Sequence, residues 1–370
     1  MGIGESVPAV CFPTASALAC SFDRNLSFRV GQALAQACLQ EGVSVILGPG
    51  VNQKRSPLCG RNFEYYSEDP LVSGEMAAAM IRGVQGLGVG CSLKHLAVNN
   101  QETRRMTIDA VVDDRALRET YLRSFEIAVR KGRPATVMCA YNRLNGTYCS
   151  ENRWLLTDVL RTEWGFDGIT VSDWGAVHDR VEGVAAGLDL EMPGNGGIND
   201  ARLVAAAKDG RLPKTVLDRT AERLVAFRLM CMAHRRPGFR YDPQCHHDLA
   251  VEAASRSAVL LKNDGALLPG GREQRVAVIG AFARDPRYQG AGSSKMHPVQ
   301  IDTPWDALCG MGVDAVYAAG YRLGVTARAS QATQDRLIAE ACAAARECDI
   351  VYLFAGLPAS DETEGIDRTH

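Results

Sequence analysis

Short apolar runs alternate with amphipathic segments through the first 225 residues of the chain. Strands are expected at Val43–Leu47, Cys91–His95, Thr136–Tyr141, Gly168–Asp173 and Leu188–Met192. Between them, Leu26–Gln40, Ala116–Arg130 and Asn152–Glu163 carry apolar residues at helical spacing. Strand and helix in turn imply parallel strands joined by crossover helices. Each expected strand ends in a polar cluster: Pro49-Gly50-Val51-Asn52, Lys94-His95, Tyr141-Asn142, Ser172-Asp173-Trp174 and Glu191-Met192-Pro193. In a β/α barrel the chemistry sits at these C-terminal strand ends. An open doubly wound sheet is the alternative, but no GxGxxG follows the first strand. The pattern therefore favours an α/β barrel.

The pattern changes further on. A helix expected at Lys214–Met232 runs into the turn-rich stretch from Arg235 to Pro243, which reads as a linker. A second α/β unit follows, with a helix at His247–Ser257 and strands at Ala258–Leu261, Val276–Ile279, Ala315–Ala318 and Ile350–Phe354. An Ala-rich amphipathic helix is expected at Gln331–Arg346. The organisation predicted is a barrel over 1–225, a linker over 226–246 and a second domain over 247–370.

Composition narrows the function classes. Forty-one basic residues nearly balance 43 acidic ones, and a net charge of −2 argues against nucleic acid or a polybasic membrane surface as partner. No window of 18 consecutive apolar residues suggests a membrane span. The 12 cysteines form no CxxC pair and no zinc spacing with histidine, so buried free thiols are expected and no metal. Reduced thiols, with no basic-then-apolar leader at the N-terminus, point to the cytoplasm.

Several clusters can carry chemistry. An apolar strand delivers Asp173 and Trp174, an acid beside a ring that offers an apolar face to the C–H side of a sugar. Alone, that acid is as readily a helix cap. Lys94 and His95 open a polar run that reaches Arg105; Lys, His and Arg there can hydrogen-bond hydroxyls and keep a nearby carboxylate ionised. Arg61 lies among Phe63, Glu64, Tyr65 and Tyr66; it can hold a substrate group or pair with Glu64. Tyr141 is equally a core residue or a site residue. In the second unit, Gly290-Ala291-Gly292-Ser293-Ser294 lacks the spacing and lysine of a nucleotide loop. The acidic run Asp361-Glu362-Thr363-Glu364 follows a strand end and is either a solvated loop or part of a site.

Taken together, FPTASALA, LGPGVNQKRSPLCGRNFEYYSEDP, LKHLAVNNQETRRM, MCAYNRLNG, ENRWLLTDVLRTEWGFDGITVSDWGAV, GLDLEMPG, AVLLKNDGALLP and ETEGIDR resemble glycoside hydrolase family 3, in that family's order and across residues 8 to 368. The resemblance implies a (β/α)8-type TIM barrel followed by an α/β sandwich domain, with the active site between them. It implies hydrolysis of terminal β-glycosyl residues of a β-glucoside or oligosaccharide, without cofactor. Asp173 would be the nucleophile and Glu364 the acid/base, with Glu362 as the fallback. Arg61, Lys94, His95, Arg105, Tyr141 and Trp174 would line the sugar subsite, and Ser293 would reach in from the second domain. Asp173 would be kept ionised by Lys94 and Arg105, while burial and the charge of Asp173 would raise the pKa of Glu364. Lys94-His95-Leu96-Ala97-Val98-Asn99-Asn100 departs from the N-acetylglucosaminidase branch. The family's Thr-Asp-Gly-Pro segment, with the first barrel strand, would precede Pro8, and further sandwich strands would follow Glu364. The expectation is thus a barrel missing its first strand and an incomplete sandwich. The competing reading is a truncated, non-catalytic piece or a pseudoenzyme of the same family.

Overall fold

Four parallel strands form the first sheet of the computed structural model, which describes residues 7–271, 273–323 and 330–369. They are β1 (Val45–Ile46), β2 (Gly90–Leu96), β3 (Thr136–Cys139) and β4 (Ile169–Val171), hydrogen-bonded in chain order. Helix α1 (Arg24–Gln40) precedes β1, and the crossovers are made by α2 (Pro70–Gln85), α3 (Arg123–Gly132) and the helical segment Trp154–Glu163. Asp23 and Asp69 start α1 and α2, each carboxylate accepting two orphan N–H groups of the first turn, and Pro70 fits the first position of α2. Gly83 lets α2 approach α1, because a Cβ there would lie 2.1 Å from the Phe28 carbonyl oxygen. With helices over it, β2 is buried at every residue, as a strand of a covered parallel sheet is.

The register carries the sheet's polar cargo. Leu93 pairs with Val137 and Leu96 with Cys139, so β2 has one residue more than β3 between the two pairs. The extra residue falls at Lys94 and His95. A regular strand would send these neighbours to opposite faces; the bulge lets both reach one cluster. The strand expected at Leu188–Met192 shrinks to a single parallel bridge, Leu190 to Val171. Pro193 has no N–H to extend it, and a Gly-Asn-Gly-Gly run follows. The described residues thus build a TIM-barrel-like domain whose sheet begins at β1.

Helices flank the turn-rich stretch from Arg235 and occupy part of the span 226–246. Helix α4 (Lys214–Ala233) continues to Ala233, and α5 (Pro243–Ser257) begins at Pro243 under an Asp242 cap. Helix α5 was expected to open the second unit but packs on the first. Ala253 joins the main core, Arg29 pairs with Glu252 at 2.7 Å, Arg256 with Asp23 at 2.7 Å, and His246 Nε2 meets Gln36 at 2.7 Å. Its apolar face follows the larger core.

In the second domain, β5 (Val276–Ile279) lies between β6 (Ala315–Ala318) and β7 (Ile350–Leu353), all parallel. Val276 and Val278 face one side, with Ile350 and Trp305; Ala277 and Ile279 face the other, against Ala341 and Ala344 of α6 (Gln331–Arg346). The strand expected at Ala258–Leu261 is not formed. Among the described residues no strand pairs with it, and Leu261 stands 91% exposed. The cysteines also differ from expectation. All 12 are free, but only Cys38, Cys59, Cys91, Cys139, Cys149 and Cys231 are buried, while Cys20, Cys245, Cys309 and Cys342 are exposed. No described helix is long and apolar enough to cross a membrane.

Candidate active site

The bulge in β2 places Lys94 and His95 inside a ring of charge. Lys94 Nζ lies 2.7 Å from Glu64 Oε1, and the other oxygen of Glu64 accepts from Arg61 Nε at 2.7 Å. Glu64 therefore pairs both cations, and they hold its carboxyl well below the usual range despite desolvation. His95 is fixed from three sides. Asn52 clamps its backbone, accepting from its N–H and donating to its carbonyl, both at 2.9 Å. Asn99 donates to the Tyr65 hydroxyl at 3.4 Å, and that hydroxyl meets His95 Nδ1 at 3.3 Å. A Tyr65 hydroxyl that donates to Nδ1 leaves the imidazole proton on Nε2, 3.4 Å from Asp173 Oδ2. Burial, Arg61 and Lys94 push the pKa of His95 well down, so the ring is neutral.

Asp173 follows β4. Its Oδ1 accepts from the backbone N–H of Trp174 at 2.7 Å. Burial is the largest influence on Asp173 and raises its pKa; Arg61, the Trp174 N–H, Lys94 and Tyr141 oppose that rise. Lys94 acts on Asp173 as expected, but Arg105 does not take that part. It stacks its guanidinium over the Tyr141 ring at 4.5 Å and binds two other acids, Glu102 at 2.6 Å and Glu364 at 2.9 Å. Tyr141 is thus both buried and part of the site. Trp174 packs its side chain on Met138, Ile169 and Val171.

Glu364 comes from the second domain. Its Oε1 faces Arg105 and, at 3.7 Å, Arg61; its Oε2 accepts from the Ser293 N–H at 2.9 Å and from the Ser293 hydroxyl. Ser293 thus reaches the site by holding Glu364. Here the electrostatic expectation is reversed. Burial does raise the pKa of Glu364, but Arg61, Ser293 and Arg105 together outweigh it and bring the carboxyl down to about 2. Glu362 lies elsewhere, 2.9 Å from Arg287. The loop Gly290–Ser294 borders the barrel, since a Cβ on Gly290 would strike the Phe63 ring at 1.9 Å.

The structure therefore brings Arg61, Lys94, His95, Arg105, Tyr141, Asp173, Ser293 and Glu364 into one connected cluster, with Trp174 at its edge. Sequence reasoning gave no role to Asn52, Tyr65, Glu102 or Asp367. The signal available was position: Tyr65, Glu102 and Asp367 lie in the same short runs as Arg61, Lys94 and Glu364, and Asn52 ends the first expected strand. A largely apolar cavity of about 250 Å³ beside β1 borders Glu64 and Lys94 but neither Asp173 nor Glu364. Among the described residues, no group of three or more His, Cys, Asp or Glu is arranged to hold a metal ion. Chemically, the cluster offers two carboxyl groups of opposite pKa tendency, flanked by fixed cations that can hold a polyhydroxylated molecule.

Comparison with known proteins agrees with that chemistry. The description "Glycosyl hydrolase family 3 N terminal domain" matches residues 2–227, and "Glycosyl hydrolase family 3 C-terminal domain" matches residues 258–370. Thermostable β-glucosidase B of Acetivibrio thermocellus is 54% identical over 371 residues, covering 100% of this chain and 48% of that protein. An exo-α-(1→6)-L-arabinopyranosidase of Bifidobacterium longum is 46% identical, covering 99% of this chain and 49% of that protein. The crystal structure of a Bifidobacterium adolescentis GH3 β-glucosidase superposes with a TM-score of 0.93 at 48% identity, over 99% of this chain and 53% of that one. The chain spans about half the length of the curated relatives it matches.

Proposed function

We propose, since this chain belongs to glycosyl hydrolase family 3, that its cleft hydrolyses terminal, non-reducing β-D-glucosyl residues with retention of configuration. One observation carries the reading. Two carboxyl groups from separate domains, Asp173 and Glu364, meet across a single cluster containing Arg61, Arg105 and Tyr141. A retaining mechanism needs two carboxyl groups roughly 5–5.5 Å apart, one to attack and one to exchange protons.

Asp173 attacks the anomeric carbon and becomes the glycosyl ester. Its Oδ1 is held by the Trp174 N–H, while His95 Nε2 faces its Oδ2 at 3.4 Å. Glu364 protonates the leaving oxygen and later takes a proton from the attacking water. With Arg61 and Arg105 against it, Glu364 is ionised at neutral pH. A sugar whose hydroxyls take up those guanidinium donors removes the two cations from Glu364. Burial is then opposed by the Ser293 donors without the two cations, and the pKa of Glu364 rises towards the range of a general acid. Binding of the sugar thereby loads the acid.

The reading is supported by relatives that are β-glucosidases, and the arabinopyranosidase among them sets the range of sugars to test. The experiment is a panel of nitrophenyl β-glucoside, β-xyloside and α-L-arabinopyranoside, with Asp173→Asn as control. Glucoside turnover that the substitution abolishes is the expected result. Wild-type-like rates in Asp173→Asn would overturn the assignment.

A further inference from the structure

We propose that Asp367 is a positioning residue for Glu364: its carboxylate latches the second-domain loop around Glu364 onto two loops of the barrel. Three backbone N–H groups of the barrel converge on it. Oδ1 accepts from Gly60 at 3.1 Å and Glu102 at 2.9 Å; Oδ2 accepts from Glu102 at 3.0 Å and Thr103 at 2.8 Å. These bonds hold the Asp367 carboxyl below its ordinary range despite desolvation.

Neighbouring contacts run the same way. The Arg368 N–H donates to the Leu58 carbonyl at 2.9 Å, and the Gly365 N–H donates to Glu102 Oε2 at 2.8 Å. Backbone meets backbone at Gly60, where a Cβ would stand 1.8 Å from the Ile366 carbonyl oxygen and 2.3 Å from that of Thr363. Thus the residues that follow Glu364 are bonded to the barrel, and Thr363 before it lies against Gly60. The two barrel loops that receive the latch also carry Arg61 and Arg105, which hold the Glu364 side chain. Main chain and side chain of Glu364 are therefore placed by the same two loops, and among the described residues Asp367 is the one side chain from the second domain that binds both loops through their N–H groups. A carboxylate suits this place because three converging N–H groups form a fixed positive concavity that an amide fills poorly.

This proposal rests on Glu364 as the acid/base, and the test separates the two. In a retaining hydrolase, kcat/KM for a poor leaving group needs the acid, whereas for a dinitrophenyl leaving group it does not. For Asp367→Asn we expect kcat/KM on phenyl β-glucoside to fall roughly thirtyfold or more and that on 2,4-dinitrophenyl β-glucoside to change less than about threefold, the smaller image of a loss of about 10²–10⁴ in Glu364→Ala. Gly60→Ala, which strikes the same contact from the barrel side, should show the same split. Amide hydrogen exchange should quicken at Gly60, Glu102 and Thr103 in Asp367→Asn while β2 and β3 stay protected. Equal losses on both leaving groups, or no loss, in Asp367→Asn overturn the latch when Glu364→Ala does show the split. Absence of the split in Glu364→Ala overturns the reading of the site, and this proposal with it.

Discussion

Asp173 stands at the end of a buried parallel strand, whereas Glu364 stands on a loop held by side chains and by the barrel's backbone. Both acids feel Arg61, yet their pKa values move in opposite directions. For Asp173 the low-dielectric strand end prevails over the cations near it. For Glu364 the direct guanidinium contacts and the Ser293 donors prevail over burial. A strand fixes a carboxylate in position and lets burial set its charge. A loop places the other carboxylate against partners that a substrate can replace. The proposed mechanism uses that contrast: the nucleophile is aimed before the sugar arrives, and the acid is made by its arrival.

The strongest way to break the comparison is at the nucleophile. Asp173→Asn should lower turnover of nitrophenyl β-glucoside by at least about 10³-fold, read as initial rates, because the step it performs has no substitute. Next, Glu364→Ala should lose about 10²–10⁴ on phenyl β-glucoside, and azide should restore rate on an activated aryl glycoside by taking the place of water. Azide rescue of Glu362→Ala instead would move the acid to that side of the loop. Smaller is the effect of Tyr65→Phe, which frees His95 Nδ1 and loosens the aim of His95 on Asp173. A drop of about tenfold in kcat/KM corresponds to the ~1.4 kcal/mol expected for one buried hydrogen bond.

The mildest test sharpens the contrast through stability. Glu364 has its folded pKa lowered from 4.5 to about 2, so its ionised form stabilises the fold above the ordinary value, and that contribution is lost as pH falls through both. Asp173 has its folded pKa raised, so its stabilising form is the protonated one, present at low pH and lost as pH rises. Near neutral pH, Glu364→Gln should therefore lower Tm and Asp173→Asn should raise it. The first difference should fade on acidification below 4.5 and vanish near 2. Shifts of the same sign in thermal melts would show that the two acids are not held in opposite ways.

Much of the site was legible locally. The apolar run ending in Asp173, the Lys94-His95 pair after β2 and the acidic stretch at Glu364 all announced themselves by position at a strand end. So did β1 to β4, because buried parallel strands concentrate apolar residues within a few positions. The failures have physical causes as well. Ala258–Leu261 has strand composition, but a strand needs a neighbour with free N–H and C=O groups, and composition does not supply one. Helix α5 carries an amphipathic face whose destination is a matter of which core lies nearer. The direction of the Glu364 pKa was misjudged because burial was counted and Arg105, 259 residues away in sequence, was assigned to Asp173.

By itself, the sequence determined the alternation of strands and helices, the order of the two domains and the residue types available for catalysis. Periodicity and turn chemistry act over a few residues and leave their mark there. Only the tertiary structure decided which cation serves which acid: Glu64 takes Arg61 and Lys94, Glu102 and Glu364 share Arg105, and Asp367 binds Gly60 across 307 residues of chain. Electrostatic energies depend on distance and burial in space, and residues far apart in sequence acquire both only when the chain folds.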